Sequence, residues 1–155
     1  MKESIRFLGG YSTLRVWERG KAGVSKPVYE STVHNLIVTS GKVLVADLLI
    51  GDVTTGLTYH AIGTGTDSPA VGDTTLTSEQ ERKAFTTRTN SSNEITLSCF
   101  YTAAQSTYNI KECGIFGGAA SAVADSGTLF SHYLQSYDNS GGTYDLTFDY
   151  VLTIG

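Results

Sequence analysis

Near its end the chain reads "TYDLTFDYVLTI", and the alternation is almost unbroken. Leu146, Phe148, Tyr150 and Leu152 fall on one side, with Asp145, Thr147, Asp149 and Val151 on the other. A period of two marks a strand with one face on a core and one in water. A chain ending this way needs a sheet to hold that strand and a second layer to cover its apolar face.

The pattern recurs upstream. "STLRVWER" sets Leu14 and Val16 against Arg15 and Trp17. "PVYESTVHNLIVTS", "LTYHAIGTG", "EITLSCFYTA", "TYNIKECGIFGG" and "GTLFSHYLQSY" follow, separated by stretches rich in Gly, Ser, Asn and Asp. About seven strands with regularly spaced turns predict a mainly β fold, an antiparallel, jelly-roll-like β-sandwich. The 155 residues suit a single domain over 1–155. Residues 1–34 are expected to add strands to it or to form an arm that docks elsewhere. Composition agrees: 17% of residues are charged, against roughly 25% in an average globular protein.

Two stretches break the alternation. In "SGKVLVADLLIG" Ser40 can cap, Leu44 and Leu48 are i,i+4 partners and Gly51 can terminate, which predicts a helix over 41–50. "TLTSEQERKAF" predicts a short helical turn, with Glu79 and Arg82 at i,i+3 on one face. Glu112 sits in "IKECGIF", where a carboxylate is costly unless it finds a cation. The expectation is one internal ion network of Glu79, Arg82 and Glu112 that pins the turn to the sheet.

The chemical motifs fail one by one. "LIVTSGKV" has Gly41–Lys42 but Leu36 and Val43 where a phosphate loop needs Gly and a hydroxyl. "GTGTDS" has Gly63 and Gly65 but Ser68 in place of a third glycine. His34, His60 and His132 lie on separate strands without local ligand pairs. A joint site of His60, His132 and a carboxylate is the less favoured reading. Neither cysteine sits in a catalytic setting, and Cys99 and Cys113 are expected to be buried thiols. No catalytic residue, metal or cofactor is therefore expected. The net charge of -4 offers no footprint for nucleic acid, and no apolar run suits a membrane. Without a signal peptide the chain is expected to be made in the cytoplasm.

The order "HNLIVTSGKVLVADLLIG", "LTYHAIGTGTDSPAVGDTTLTSEQERKAF", "NIKECGIFGG" and "GTLFSHY" resembles small bacteriophage structural proteins of the tail-fibre or tail-associated type. The resemblance covers about Asn35 to Tyr133. It falls on Asn35, Gly41, Gly63, Gly65, Asp73, Leu76, Glu79, Arg82, Glu112, Gly114 and Phe116. It implies a non-enzymatic virion component. With no shaft-like repeat after the matched stretch, a tail, baseplate or collar adaptor is expected, with capsid decoration as the alternative. The partners implied are other virion proteins and further copies of the chain, as a trimer or a ring.

Tyr and Trp suit such interfaces because a rigid ring adds contact area at small entropic cost. The candidate contact residues are Tyr11, Trp17 and Tyr29 near the start, with Tyr137 and Tyr144 around "SYDNSGGTY". A tail-tip glycan-binding domain is a further reading, with the Asp138–Asn139 loop and Tyr137 as its site.

Overall fold

The computed structural model describes residue 4 and residues 6–155. Among the described residues, ten strands, one α-helix and one 3-10 turn follow in order. They are β1 (Phe7–Glu18), β2 (Tyr29–His34), β3 (Leu36–Ile37), α1 (Thr39–Ile50), β4 (Leu57–Gly63), β5 (Glu79–Ala84) and β6 (Thr87–Ser91). Then come β7 (Glu94–Tyr101), the turn Ala103–Gln105, β8 (Asn109–Gly117), β9 (Thr128–Asp138) and β10 (Tyr144–Ile154). They form two five-stranded antiparallel sheets in a β-sandwich. Sheet I has the order β2-β1-β10-β7-β6 and sheet II the order β3-β9-β8-β4-β5.

The alternating strands build the core. Leu14 and Val16 of β1, Leu97 and Tyr101 of β7 and Leu146, Phe148, Tyr150 and Leu152 of β10 point inward from sheet I. Ile62, Ile110, Ile115, Phe130 and Tyr133 meet them from sheet II, all buried. Residues 7–18 and 29–34 are thus strands of sheet I rather than an arm; residues 1–3 and 5 lie outside the described residues.

Three differences from the sequence reading have physical causes. The run predicted as one strand at 27–40 divides at Asn35, where the chain leaves sheet I for sheet II. There Asn35 Nδ2 donates to Ser131 Oγ at 2.9 Å and to the Tyr150 hydroxyl, tying the two sheets together. A Cβ on Gly10 would sit 2.3 Å from Asn35 Oδ1, so this crossing needs a glycine opposite it. Strand β6 went unread because it is an edge strand with all five residues exposed, so no apolar alternation was required of it.

The third difference is the "SEQER" segment, which is strand β5 and not a helical turn. Opposite β5 the register runs Ile62↔Glu81 and then Gly63↔Glu79, leaving Gln80 as an extra residue. That bulge resets the parity of the strand. Glu79 and Arg82, which would otherwise face opposite ways, both project from the outer face of sheet II. The spacing that looked helical is a bulged strand.

The helix forms as expected, with Gly51 in the left-handed region at φ 84 as its terminator. Ser40 is not the cap, however: its hydroxyl donates to the Leu129 carbonyl at 2.7 Å and anchors the helix to β9.

Candidate functional site

The outer face of sheet II carries a buried polar cluster built around Glu112 and His132. Cross-strand register puts Gly63 of β4 beside Glu112 of β8, and Gly114 beside His132 of β9. The long connection 64–78 folds back over this face. Glu112 is fully buried. Its Oε1 accepts the backbone N–H groups of Gly65 at 3.0 Å and Ser78 at 2.7 Å, and its Oε2 that of Thr77 at 3.0 Å. The carboxylate thus organises both ends of the connection, much as an anion is held by a concave run of amides.

His132 completes the cluster. Its Nε2 meets Glu112 Oε2 at 2.9 Å and its Nδ1 meets Asp73 Oδ2 at 2.6 Å. Asp73 also accepts the Ala70 N–H at 2.8 Å, closing the loop tip. Burial alone would raise the Asp73 carboxyl, but the Ala70 amide and the His132 ring together hold it below its ordinary value.

A general base needs a free ring nitrogen facing a nucleophile. Here a carboxylate takes each nitrogen, so the relay ends in structure on both sides. The direct hydrogen bonds also leave no gap for an ion, and among the described residues no group of three His, Cys, Asp or Glu is set to hold a metal.

The glycines of "IGTGT" belong to the same device. A Cβ on Gly63 would lie 2.7 Å from Glu112 Oε1, and one on Gly65 would lie 2.4 Å from it. They allow the backbone to wrap the carboxylate of their own chain. Likewise a Cβ on Gly114 would lie 2.9 Å from Leu76 Cδ2, and one on Gly41 would lie 2.3 Å from the Phe130 carbonyl oxygen. Leu76 and Phe116 pack with Val38, Ala61 and Leu129 in a small second core under the connection.

Arg82 lies at the far side of this face. Its guanidinium pairs with Glu79, Nε to Oε1 at 2.5 Å and Nη2 to Oε2 at 2.7 Å. It stacks over the Phe116 ring at 4.2 Å from the centroid. Nη1 donates to the Ser126 carbonyl at 2.9 Å and to Ser126 Oγ at 3.1 Å, so the same side chain pins loop 118–127. The three-membered network is corrected accordingly. Glu79 and Arg82 pair with both side chains buried, but Glu112 finds its partners in amides and His132 instead of in Arg82. The connection 64–78 supplies the donors that make a distant cation unnecessary.

His60, proposed beside His132, faces the other way, into the sandwich. Its Nδ1 lies 3.0 Å from the Tyr101 hydroxyl and its Nε2 2.9 Å from that of Tyr133. The Tyr101 proton goes to the His60 carbonyl, so Nδ1 is the donor and Nε2 accepts from Tyr133. Burial in this apolar setting lowers the ring's pKa to about 3 and keeps it neutral.

The aromatic candidates separate into two groups. The Tyr29 and Tyr137 rings meet tilted at 36° with centroids 5.2 Å apart, and Tyr137 and Tyr144 pack on the main core, so this trio plugs one end of the sandwich. Burial, reinforced by neighbouring Tyr144, Tyr29 and Asp138, raises the Tyr137 hydroxyl. Tyr11 and Trp17 sit on the outer face of sheet I, where Tyr11 is 40% exposed and Trp17 only 7%. The Asp138–Asn139 loop is occupied with itself: buried Asn139 donates to Ser106 Oγ and to the Tyr144 carbonyl, each at 2.9 Å, and Asp138 accepts from Ser140.

No family model, curated protein or solved structure matches the chain.

Sequence reasoning missed His132 as the partner of Glu112. The signal was faint: an isolated histidine on a strand, one residue before a core tyrosine, and an aspartate in a loop with no fixed spacing to either.

Proposed function

We propose that the protein is a non-enzymatic bacteriophage virion subunit, a tail, baseplate or collar adaptor whose work is to hold neighbouring virion proteins. The observation that carries this reading is that most of the residues behind the phage-protein resemblance, all but Asn35 and Gly41, are spent on one mechanical assembly. Gly63, Gly65, Asp73 and Glu112 clamp the connection 64–78, Leu76, Gly114 and Phe116 pack beneath it, and Glu79 and Arg82 hold loop 118–127. The "GTGT" glycines, which resemble a phosphate-binding signal, wrap the chain's own Glu112, and both ring nitrogens of His132 are taken up by Glu112 and Asp73. A rigid face of this kind suits docking, since pre-ordered loops cost little entropy on binding.

Self-association belongs to the proposal. Strand β6 is an exposed edge with one side of its ladder unpaired, a template for another chain, and virion subunits occupy symmetric positions. A trimer or ring is expected by sedimentation.

The test is particle composition. Phage particles banded on a density gradient should contain the chain at a fixed ratio to the major capsid protein, and labelled antibody should mark the tail end. Labelling over the head lattice would select capsid decoration instead. A chain found only in the soluble fraction of the lysate would end the virion reading.

A further inference from the structure

The geometry points to a binding site for a neutral sugar ring on the outer face of sheet I, separate from the clamp on sheet II. A depression of about 540 Å³ opens there, with Trp17 and Phe100 among its lining residues. Cross-strand register fixes its floor. Arg15 of β1, Thr147 of β10 and Phe100 of β7 form one row, and Thr13, Asp149, Ser98 and Thr87 form the next. Trp17 lies two residues along β1 from Arg15, opposite Asp145, so it and Phe100 stand diagonally across β10, roughly 12 Å from backbone to backbone. That spacing accommodates one pyranose ring over Thr147.

The side chains are held in place before any ligand arrives. Trp17 Nε1 donates to Thr147 Oγ1 at 3.0 Å, which fixes the indole as one wall. Asp149 Oδ2 accepts from Arg15 Nη1 at 2.6 Å and its Oδ1 from Ser98 Oγ at 2.5 Å. Arg15 Nε in turn donates to Glu30 Oε2 at 2.6 Å. Each carboxylate oxygen of Asp149 keeps a further lone pair, and the Asp149 side chain is 30% exposed. Half-buried Phe100 supplies the apolar face on which the C–H side of a sugar would stack. Asp149 and the Thr87 hydroxyl supply polar partners for its hydroxyls.

Charge selects the class of ligand. Arg15 is the only cation lining the depression among the described residues, and two carboxylates already face it. Lys83, 5.9 Å from the Phe100 centroid, donates to Gln105 Oε1 and does not line the site. No free cation remains for a phosphate, sulfate or sialic acid. An uncharged saccharide fits; an acidic one does not.

The chain contains one tryptophan, so its emission reports this site directly. The experiment titrates the whole protein with maltotriose, cellotriose, mannotriose and triacetylchitotriose, with 3′-sialyllactose as the acidic control. At least one neutral probe should shift the Trp17 emission saturably with a Kd near the millimolar range, and the sialylated probe should bind at least about tenfold more weakly. Phe100→Ala and, independently, Thr87→Val should each weaken binding about tenfold or more by calorimetry while the melting temperature stays near wild type. The site is refuted if no neutral probe shifts the emission by about 10 mM, or if both variants bind like wild type. Emission that changes with protein concentration alone would show a second copy on this face, and would also refute it. The result is independent of whether the chain is found in particles.

Discussion

Gly65 and Glu112 occupy each other's space: the glycine N–H binds Glu112 Oε1 at 3.0 Å, and a Cβ at position 65 would lie 2.4 Å from that oxygen. The close approach lets a fully buried carboxylate find three backbone donors. A charge with that many hydrogen bonds is stabilised where an unpaired one would be expelled.

The first prediction follows from that contact. Gly65→Ala must displace either the carboxylate or Thr77, whose Cβ would be 2.5 Å away. It should destabilise the protein by about 1–3 kcal/mol or more. Gly72 lies in the same connection but its Cβ would meet nothing within 4 Å, so Gly72→Ala should stay within about 0.5 kcal/mol of wild type. Urea midpoints of the two variants check it; equal losses would show that the clamp is not the cause.

Arg82 gives the second. Removing it leaves Glu79 buried without its cation and frees loop 118–127 from Ser126. Arg82→Ala should cost about 3–5 kcal/mol, the usual consequence of breaking a buried pair from one side. Amide exchange should accelerate over 121–126 before it does so in β10. Arg82→Lys should recover only part of the loss, because a single ammonium cannot reproduce the two-point contact with Glu79 or the stacking on Phe116. A variant that melts with wild type would overturn the argument.

The cysteines yield a third. Both are free and buried. Burial pushes the Cys99 thiol up to about 12, only partly offset by Tyr101 and Lys83, and burial beside Glu112 raises Cys113 as well. At pH 8 only about one Cys99 in ten thousand would be ionised. An aromatic disulfide reagent should label neither thiol in the folded protein and both after unfolding. Rapid labelling of either in the native state would mean that the core opens.

How much of this was legible depended on whether a residue's role was local. The inward positions of β10 follow from alternation alone, since strand side chains have a period of two whatever the partner strand. The helix ending at Gly51 was readable for the same reason. Segment 79–84 was not, because a bulge at Gln80 imitates helical spacing, and a bulge is set by the strand opposite it. Glu112 was recognisable as an expensive buried charge, yet its partners come from residues 34 to 47 positions away and from His132, and only the folded connection brings them together. Trp17 stood out by its chemistry, whereas Asp149 and Phe100 join it only through strand pairing that no single strand records.

The last prediction concerns pH. His60 is buried with its pKa lowered to about 3, while an unfolded histidine titrates near 6.5. Between those values the unfolded chain binds a proton that the folded protein refuses. Stability must therefore fall as pH drops below about 6.5, by about 1.4 kcal/mol per unit from this residue alone. Asp73 acts in a lower window: its folded value lies below the ordinary 3.8, so its contribution is present above that value and is lost only as pH falls through the folded one. Between about pH 4.5 and 6.5 the two effects are separable. His60→Gln can still bond to Tyr101 and Tyr133 but cannot take up the proton. It should be less stable than wild type at pH 7, and its urea midpoints should decline less steeply with acid, by close to one proton's worth of slope. Parallel pH profiles for the two proteins would mean that His60 is protonated in the folded state, contradicting the neutral ring hydrogen-bonded between two tyrosines.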